Sequence, residues 1–376
     1  MNLLLFTAAL AIDHKSIIMS ATATTTNSRG VTKVVPALFP VSGHGPVRLI
    51  GTVDCDGAGT KHPLPEVDPC ILLDVGVLKK NNMPPFGPHP HRGHSVVTVL
   101  LQGSLKSWDS YQPRSSENGS TSTTERVYRD VITGPASYWV DAGTGLFHDE
   151  MTSIKDESDP TQHVKLFQLW VGIAEADRTM SPTVQVDTKL PTFDCMGHVN
   201  GDGGGDQSLV LVGHGRYYVG TQTSIETPHP VTVAHIHQKA GTTYKYPIES
   251  RSHGGFVVSM KGSPTFGVGD FTGKPQKEYD VLVLNHDNGE EEEEEEGTSC
   301  PDFLKIVTSN NDDNEEDAEY LICTGERIGE SWVKKLVANG ALIAATLEEA
   351  KELATKVSVM SKEGLENTGS FAPFGL

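Results

Sequence analysis

Short apolar runs separated by turn residues dominate the chain from about residue 34 to residue 330. The runs are rich in Val, Ile and Leu, and Gly, Pro, Asn or Asp separates one run from the next, which is typical of many short strands. Examples are "CILLDVGVL", "SVVTVLLQG", "HVKLFQLWVGI", "VTVAHIHQKAG" and "EYDVLVL". The pattern predicts an all-β chain whose sheets stack or close into barrels, because either arrangement protects the strand edges.

The glycine-rich stretch "NGDGGGDQ" at residues 200–207 divides the runs into two sets of similar texture. We therefore expect two β-domains joined by a linker. The expected bounds are 1–33 for a disordered leader or a misassigned start, 34–180 for the N-terminal barrel, 181–207 for the linker, 208–330 for the C-terminal barrel and 331–376 for a helix and tail. Acidic runs at 287–297 and 310–319 are expected to be solvated loop insertions in the second domain, because like charges repel one another.

The apolar spacing changes to a helical period near the C-terminus. Thr346 and Glu349 match a capping box, in which each side chain accepts a hydrogen bond from the other end of the first turn. Apolar residues follow at helical spacing, namely Leu347, Ala350, Leu353, Ala354 and Val357. One amphipathic helix packed on a β-domain is predicted.

Charge and composition exclude several classes of protein. A formal net charge of -19 without a basic cluster argues against binding nucleic acid through a basic face. No apolar run is long enough to span a membrane, and "LLLFTAALAI" at residues 3–12 has the length of a signal-peptide core without a preceding basic residue. An organelle-targeting leader and translation from Met19 both explain this segment. Five cysteines without a CxxC pair fit a reducing compartment, so we expect a cytoplasmic or nuclear location.

Two pairs of potential metal ligands share one spacing. His89 and His91 lie two residues apart, as do His148 and Glu150. In a strand, residues i and i+2 point to the same side. If the two strands are neighbours in a barrel, three imidazoles and one carboxylate face a common point and leave coordination positions open, which suits Fe(II), Ni, Cu, Zn or Mn. Either pair alone is better explained as a polar turn or a surface histidine, and only the coincidence of two pairs with the same spacing favours the metal site.

Three segments carry a resemblance to a known family. "FGPHPHRGHSVVTVLLQG", "SYWVDAGTGLFHDEM" and "LFQLWVGI" resemble the motifs of the pirin family. That resemblance implies two stacked cupin-type β-barrels, a bicupin, with a C-terminal helix. It also implies one divalent metal in the N-terminal barrel, with Fe(II) foremost and Ni, Cu, Zn and Mn as alternatives. Matched residue by residue, the implied ligands are His89, His91, His148 and Glu150.

The chain departs from the family pattern at His94 and Ser95, where an aromatic residue and Glu usually stand. His94 is three residues from His91, so a regular strand would turn it to the opposite face, and we expect it not to be a ligand. His235 and His237 repeat the i, i+2 spacing in the second domain. Because the second barrel of pirins resembles a cupin that has lost its metal, an exposed strand face is expected there.

The resemblance implies two functions of different classes. As a quercetin 2,3-dioxygenase, the protein would bind a small aromatic, flavonol-like substrate through its 3-oxygen, with Glu150 as both ligand and catalytic base. As a non-enzymatic iron-dependent regulator, it would act as a cofactor of transcription factors through protein contacts, without touching nucleic acid or membrane. A third reading is a stress protein with vestigial activity. All of them use the same four ligands, so the motif does not separate them.

Overall fold

A computed structural model describes sixteen ranges of the chain. The described residues are 28–29, 31–35, 38–40, 47–50, 67–79, 87–111, 131–190, 192–194, 208–213, 225–248, 253–267, 272–275, 277–284, 302–308, 316–338 and 340–362. The leader up to residue 27, the glycine-rich linker at 200–207, the first acidic run and the second as far as residue 315 lie outside them.

Strands are the predominant element among the described residues, which confirms the predicted all-β class. The strands of the first half of the chain are Ser28–Arg29 (β1), Val31–Val35 (β2), Leu38–Pro40 (β3), Val47–Ile50 (β4), Cys70–Leu78 (β5), His89–Arg92 (β6), His94–Gln102 (β7), Ser104–Asp109 (β8), Ile132–Thr133 (β9), Ala136–Asp141 (β10), Leu146–Ser153 (β11), Val164–Gly172 (β12) and Thr183–Asp187 (β13). A one-turn 3-10 helix at Glu175–Asp177 precedes β13.

The second half of the chain continues the pattern and ends in a helix. Its elements are Thr192–Asp194 (β14), Ser208–Gly213 (β15), Val231–Gln238 (β16), Thr243–Ile248 (β17), His253–Lys261 (β18), Thr265–Phe266 (β19), Val281–Leu284 (β20), Asp302–Val307 (β21), Ala318–Glu326 (β22), Val333–Val337 (β23), Gly340–Ala344 (β24) and the helix Leu347–Lys362 (α1). No helix among the described residues is both long and apolar enough to cross a membrane.

The strands form two barrels, each made of a large and a smaller sheet. In the first barrel the large sheet has the order β13-β10-β7-β12-β5-β4-β3, and the smaller one has the order β23-β24-β6-β11-β8-β9. In the second barrel the large sheet has the order β14-β15-β16-β22-β18-β20-β2, and β1, β21, β17 and β19 form the smaller sheet. The candidate ligands therefore lie on two neighbouring strands, β6 and β11, of the first barrel.

Apolar side chains pack in three layers that follow this architecture. One cluster joins the two large sheets face to face, with Val97 and Phe167 from the first barrel against Val233 and Phe256 from the second. Separate clusters fill the interior of each barrel. Alternate residues of β7 and β12 thus belong to different cores, because successive strand residues point to opposite faces.

Each barrel includes a strand from the opposite end of the chain. β2 pairs with β20 of the second barrel, whereas β24 pairs in parallel with β6 of the first. β13, placed in the linker by the sequence, pairs with β10. These pairings cross the predicted bounds at residues 33, 181 and 331, and the division into domains stays a prediction. The local pattern of apolar residues predicts a strand but does not predict which strand it pairs with.

The C-terminal helix α1 begins as its capping box predicts. The backbone N–H of Glu349 donates to Thr346 Oγ1 at 3.2 Å, and the Glu349 carboxylate accepts from the backbone N–H of Ala345 at 2.9 Å. The apolar face of the helix, Ala350, Leu353, Val357 and Met360, packs with Trp108, Phe147 and Leu342 of the first barrel. Since Phe147 directly precedes His148, the helix supports the strand that carries a candidate ligand.

Candidate metal centre

Three of the four predicted ligands converge inside the first barrel. β6 and β11 are antiparallel neighbours in which His148 lies opposite His89. The Nε2 atoms of these two histidines are 2.9 Å apart. The ring centroid of His91 is 4.9 Å from that of His89 and 4.5 Å from that of His148. One nitrogen from each ring lies within 4.8 Å of the other two, as one shared ion requires.

Burial keeps these imidazoles neutral. His89, His91 and His148 are 6%, 1% and 0% exposed. Desolvation lowers the pKa of His89 below its ordinary value and lowers the pKa of His91 and His148 much further, because the neighbouring rings also repel a proton there. A neutral imidazole is the form that binds a metal, so the cluster carries ligands in the right protonation state.

Backbone and side-chain acceptors orient two of the rings. His89 Nδ1 donates to the carbonyl of Gly87 at 2.8 Å, so the lone pair of the neutral ring is on Nε2. His94 Nδ1 donates to the carbonyl of Arg92 at 2.9 Å, so His94 Nε2 accepts from His91 Nδ1 at 3.0 Å. The lone pair of His91 is then on Nε2, which is buried without a hydrogen-bond partner among the described residues. These hydrogen-bond partners define the tautomers of the three rings.

The expectation that His94 faces away from the ligands is wrong. Gly93 adopts φ +73, the left-handed region that favours glycine, and interrupts the alternation between β6 and β7. His94 therefore returns to the barrel interior, where it is fully buried beside His91. It is not one of the three residues in the ligand group, and its contact with His91 makes it a positioning residue.

Glu150, the fourth predicted ligand, points to the same interior as His148 but is held by other side chains. Its Oε1 accepts from the hydroxyl of Thr98 at 2.7 Å and its Oε2 accepts from the amide of Gln168 at 2.6 Å. Burial raises the pKa of Glu150 to about 7, although both hydrogen bonds act in the opposite direction. The carboxyl is not among the groups that lie within 4.8 Å of one another, so its role as a ligand stays a prediction.

An aromatic wall and a buried cation border the centre. The ring centroid of Trp170 lies 5.2 Å from that of His91 and 5.1 Å from that of His94. Lys334 of β23 is 1% exposed, and its Nζ lies 6.0 Å from the Trp170 ring centroid. Side chains of Val96, Tyr138 and Val140 belong to the apolar cluster of this interior. The space beside the imidazoles is thus bounded largely by apolar surface.

The C-terminal segment fixes the outer side of β6. Arg92 donates from Nη1 to the carbonyl of Ile343 at 3.2 Å and lies 3.7 Å from a Glu349 carboxylate oxygen. Arg92 thus has both a backbone carbonyl and an acidic side chain as partners. Gly340 allows close approach, because a Cβ there would overlap the carbonyl of Pro90. Residues more than 200 positions away therefore hold the strand of His89 and His91.

The residues fit a divalent metal ion. The Nε2 atoms of His89 and His148 are 2.9 Å apart. Two nitrogens that each bind one ion at about 2.0–2.1 Å, in neighbouring coordination positions, have a similar separation. Buried His91 Nε2 has no hydrogen-bond partner among the described residues. An unpartnered buried nitrogen is costly, and a bound ion would satisfy it. Imidazole donors with a nearby carboxylate select borderline ions, of which Fe(II), Ni and Zn are examples.

His235 and His237 of the second barrel do not form the exposed face expected of them. His235 is 7% exposed and donates from Nε2 to Glu319 Oε1 at 2.8 Å, whereas His237 is exposed. Glu319 lies on β22 opposite His237. The residue pattern of β16 alone does not predict this neighbour. Ligand atoms of the three residues lie within 4.8 Å of one another.

Sequence reasoning missed several residues that shape the first centre. Thr98, Gln168, Trp170 and Lys334 enter the barrel interior from β7, β12 and β23. Thr98 lies two residues from Val96, and Gln168 lies two from Trp170, so strand alternation was the available signal. Lys334 carried no such signal, because the hairpin of β23 and β24 joins the first barrel only through the pairing of β24 with the distant strand β6.

Comparisons with known proteins agree with this geometry. Residues 64–171 match the family model described as Pirin. A Pseudomonas aeruginosa protein with the provisional name quercetin 2,3-dioxygenase is 25% identical over 292 residues, which cover 75% of this chain and 82% of that protein. A pirin-like protein of Arabidopsis thaliana is 24% identical over 285 residues, which cover 76% of each chain.

The fold also matches solved structures. A crystal structure of quercetin 2,3-dioxygenase from Acinetobacter baumannii superposes with a TM-score of 0.60 at 17% identity, and the match covers 89% of this chain and 98% of that one. At this identity the likeness shows the fold alone. Together with the two barrels and α1, it confirms the predicted class of two stacked cupin-type barrels with a C-terminal helix.

Proposed function

We propose that this chain, whose residues 64–171 match the Pirin family model, is a metal-dependent dioxygenase of the quercetin 2,3-dioxygenase type, which opens a flavonol ring with O2. The observation that carries the proposal is the convergence of three buried, neutral imidazoles beside a carboxyl whose pKa is about 7. The names of relatives in Pseudomonas and Acinetobacter support the substrate class.

His89, His91 and His148 would hold the ion, with Glu150 as a fourth ligand. When bound, a divalent ion supplies a Lewis acid for an anionic substrate oxygen, and a redox-active ion such as Fe(II) would also supply electrons for reaction with O2. Fe(II) is the proposed ion, with Ni, Cu, Zn and Mn as alternatives. His94 would keep the lone pair of His91 on Nε2 through the 3.0 Å hydrogen bond between the two rings.

Glu150 would accept the proton of the flavonol 3-hydroxyl. A carboxyl with a pKa near 7 changes protonation state at neutral pH, which suits a general base. Thr98 and Gln168 hold both of its oxygens, so the base is oriented before the substrate arrives. The proton would then stay on Glu150 while the substrate oxygen is anionic.

The apolar wall would bind the aromatic rings of the substrate. Trp170 lies beside His91, and its buried indole N–H has no hydrogen-bond partner among the described residues. Val96 and Val140 line the same interior. Such a surface favours a flat aromatic ligand and excludes water from the reacting oxygen.

The test is to load the full chain with Fe(II) and follow loss of quercetin absorbance together with O2 uptake. We expect equal consumption of both, and a rate lowered by about 10²–10⁴-fold in Glu150→Gln at equal metal content. His163→Ala, which removes a histidine outside both ligand groups, should react like the wild-type chain. Tight metal binding without turnover of any flavonol would overturn the proposal and favour the non-enzymatic regulator.

A further inference from the structure

The second barrel carries a cluster of potential ligands outside the centre described above. His235 and His237 project from one face of β16, and Glu319 projects from the neighbouring strand β22. This face continues the apolar layer between the two large sheets, to which Val233 and Leu321 belong. The cluster therefore lies at the rim between the barrels and not inside the second barrel.

We propose that His235, His237 and Glu319 form a second metal site, which binds a borderline divalent ion, Zn²⁺ foremost. Ligand atoms of the three lie within 4.8 Å of one another, and the centroids of the two rings are 4.6 Å apart. Two imidazoles and one carboxylate are a frequent ligand set of zinc, with a fourth position left to water.

The ligand atoms are available at this site. His235 and Lys165 both donate to Oε1 of Glu319, and Oε2 accepts no hydrogen bond from a described residue. The ring of His237 makes no hydrogen bond to a described residue and is open to solvent, which gives an ion a route of entry.

Lys165 supplies the competing explanation of the cluster. It lies on β12 of the first barrel, and its Nζ is 2.7 Å from Glu319 Oε1, so the pair bridges the two barrels. An ion pair with His235 as a third member would satisfy Glu319 without a metal. The ion pair and the metal site predict different outcomes, because only the metal site needs His237.

The experiment is equilibrium dialysis of the full chain against Zn²⁺ alone, followed by metal and protein analysis. We expect His237→Ala and Glu319→Gln each to bind one ion fewer per chain than the wild-type protein. His163→Ala, which removes a histidine outside both clusters, should bind as many ions as the wild type. Equal binding by the wild type and His237→Ala would overturn the proposal, as would an equal loss in His163→Ala.

The first centre does not enter this test, because all variants retain His89, His91 and His148. Co²⁺ gives a second readout. The visible absorbance added by saturating Co²⁺ should be smaller in His237→Ala than in His163→Ala. Identical spectra would contradict a second site.

Discussion

His91 Nδ1 lies 3.0 Å from Nε2 of His94, and this contact connects a predicted metal ligand to a residue that strand alternation assigned to the wrong face. His94 is in turn fixed by the carbonyl of Arg92. The two hydrogen bonds select the tautomer of His91 that directs a lone pair towards the centre.

Replacing His94 by Phe should weaken metal binding. The variant removes the acceptor of the His91 Nδ1 proton, and loss of such a partner typically lowers metal affinity by about 10–100-fold. Titration of the metal-free protein with Fe(II) in the absence of O2 measures the dissociation constant. His94→Gln keeps a carbonyl acceptor and should recover part of the affinity. Unchanged affinity in His94→Phe would show that the contact does not position His91.

The metal-free protein should lose stability as pH falls below about 6.5. Burial lowers the pKa of His89, His91, His94 and His148, for His94 to about 4, so the unfolded chain binds protons that the folded chain excludes. Their contribution is present above the unfolded pKa near 6.5 and is lost as pH falls towards the folded values. Thermal unfolding at pH 8, 6 and 5 measures the loss.

A matched pair of variants assigns that acid sensitivity to the centre. His94→Phe should lose less stability between pH 8 and pH 5 than the wild type, because one excluded proton is removed. His163→Ala, at a more exposed position, should follow the wild-type curve. The same curve for all three proteins would rule out His94 as a source of the effect.

Gly93→Ala should destabilise the first barrel more than Gly87→Ala does. Both glycines have positive φ, +73 and +63, so alanine is strained by roughly 1 kcal/mol at either position. Only at Gly93 would the new Cβ also approach a backbone oxygen, that of Ile343, to 2.8 Å. Urea unfolding should show a difference of at least about 1 kcal/mol between the variants. Equal losses in the free energy of unfolding would mean that the contact between the new Cβ and β24 does not destabilise the protein.

Leu353→Ala should destabilise the protein by about 2–3 kcal/mol through the packing of α1 on the first barrel. Leu353 is 5% exposed in the cluster that contains Phe147. Val359, 48% exposed on the same helix, is the matched control, and Val359→Ala should change stability by less than about 0.5 kcal/mol. Urea unfolding of both variants measures the difference. A loss in Val359→Ala as large as in Leu353→Ala would contradict the burial of one helix face.

Sequence reasoning succeeded where a feature depends on neighbours along the chain. The i, i+2 spacing of His89 and His91 predicts two rings on one side of a strand, and the structure has them there. The capping box at Thr346 likewise depends on one helical turn. Antiparallel pairing of β6 with β11 then brought His148 to the other two histidines, as the matching spacing of the second pair suggested.

Features set by long-range pairing or by a single backbone torsion could not be predicted. The left-handed conformation of Gly93 places His94 on the opposite face from the one expected. The residues on either side of Gly93 nevertheless have the pattern of one continuous strand. Exchange of β2 and β24 between the barrels depends on tertiary contacts that short apolar runs do not encode. Glu319 meets His235 only through the register of β16 with β22.

A crystal of the full chain soaked with Fe(II) without O2 tests the central claim most directly, by anomalous diffraction at the iron edge. We predict a peak about 2.0–2.2 Å from one nitrogen each of His89, His91 and His148, with a Glu150 oxygen as the fourth ligand. A peak that lacks any of the three histidines, or no peak inside the first barrel, would contradict the metal centre.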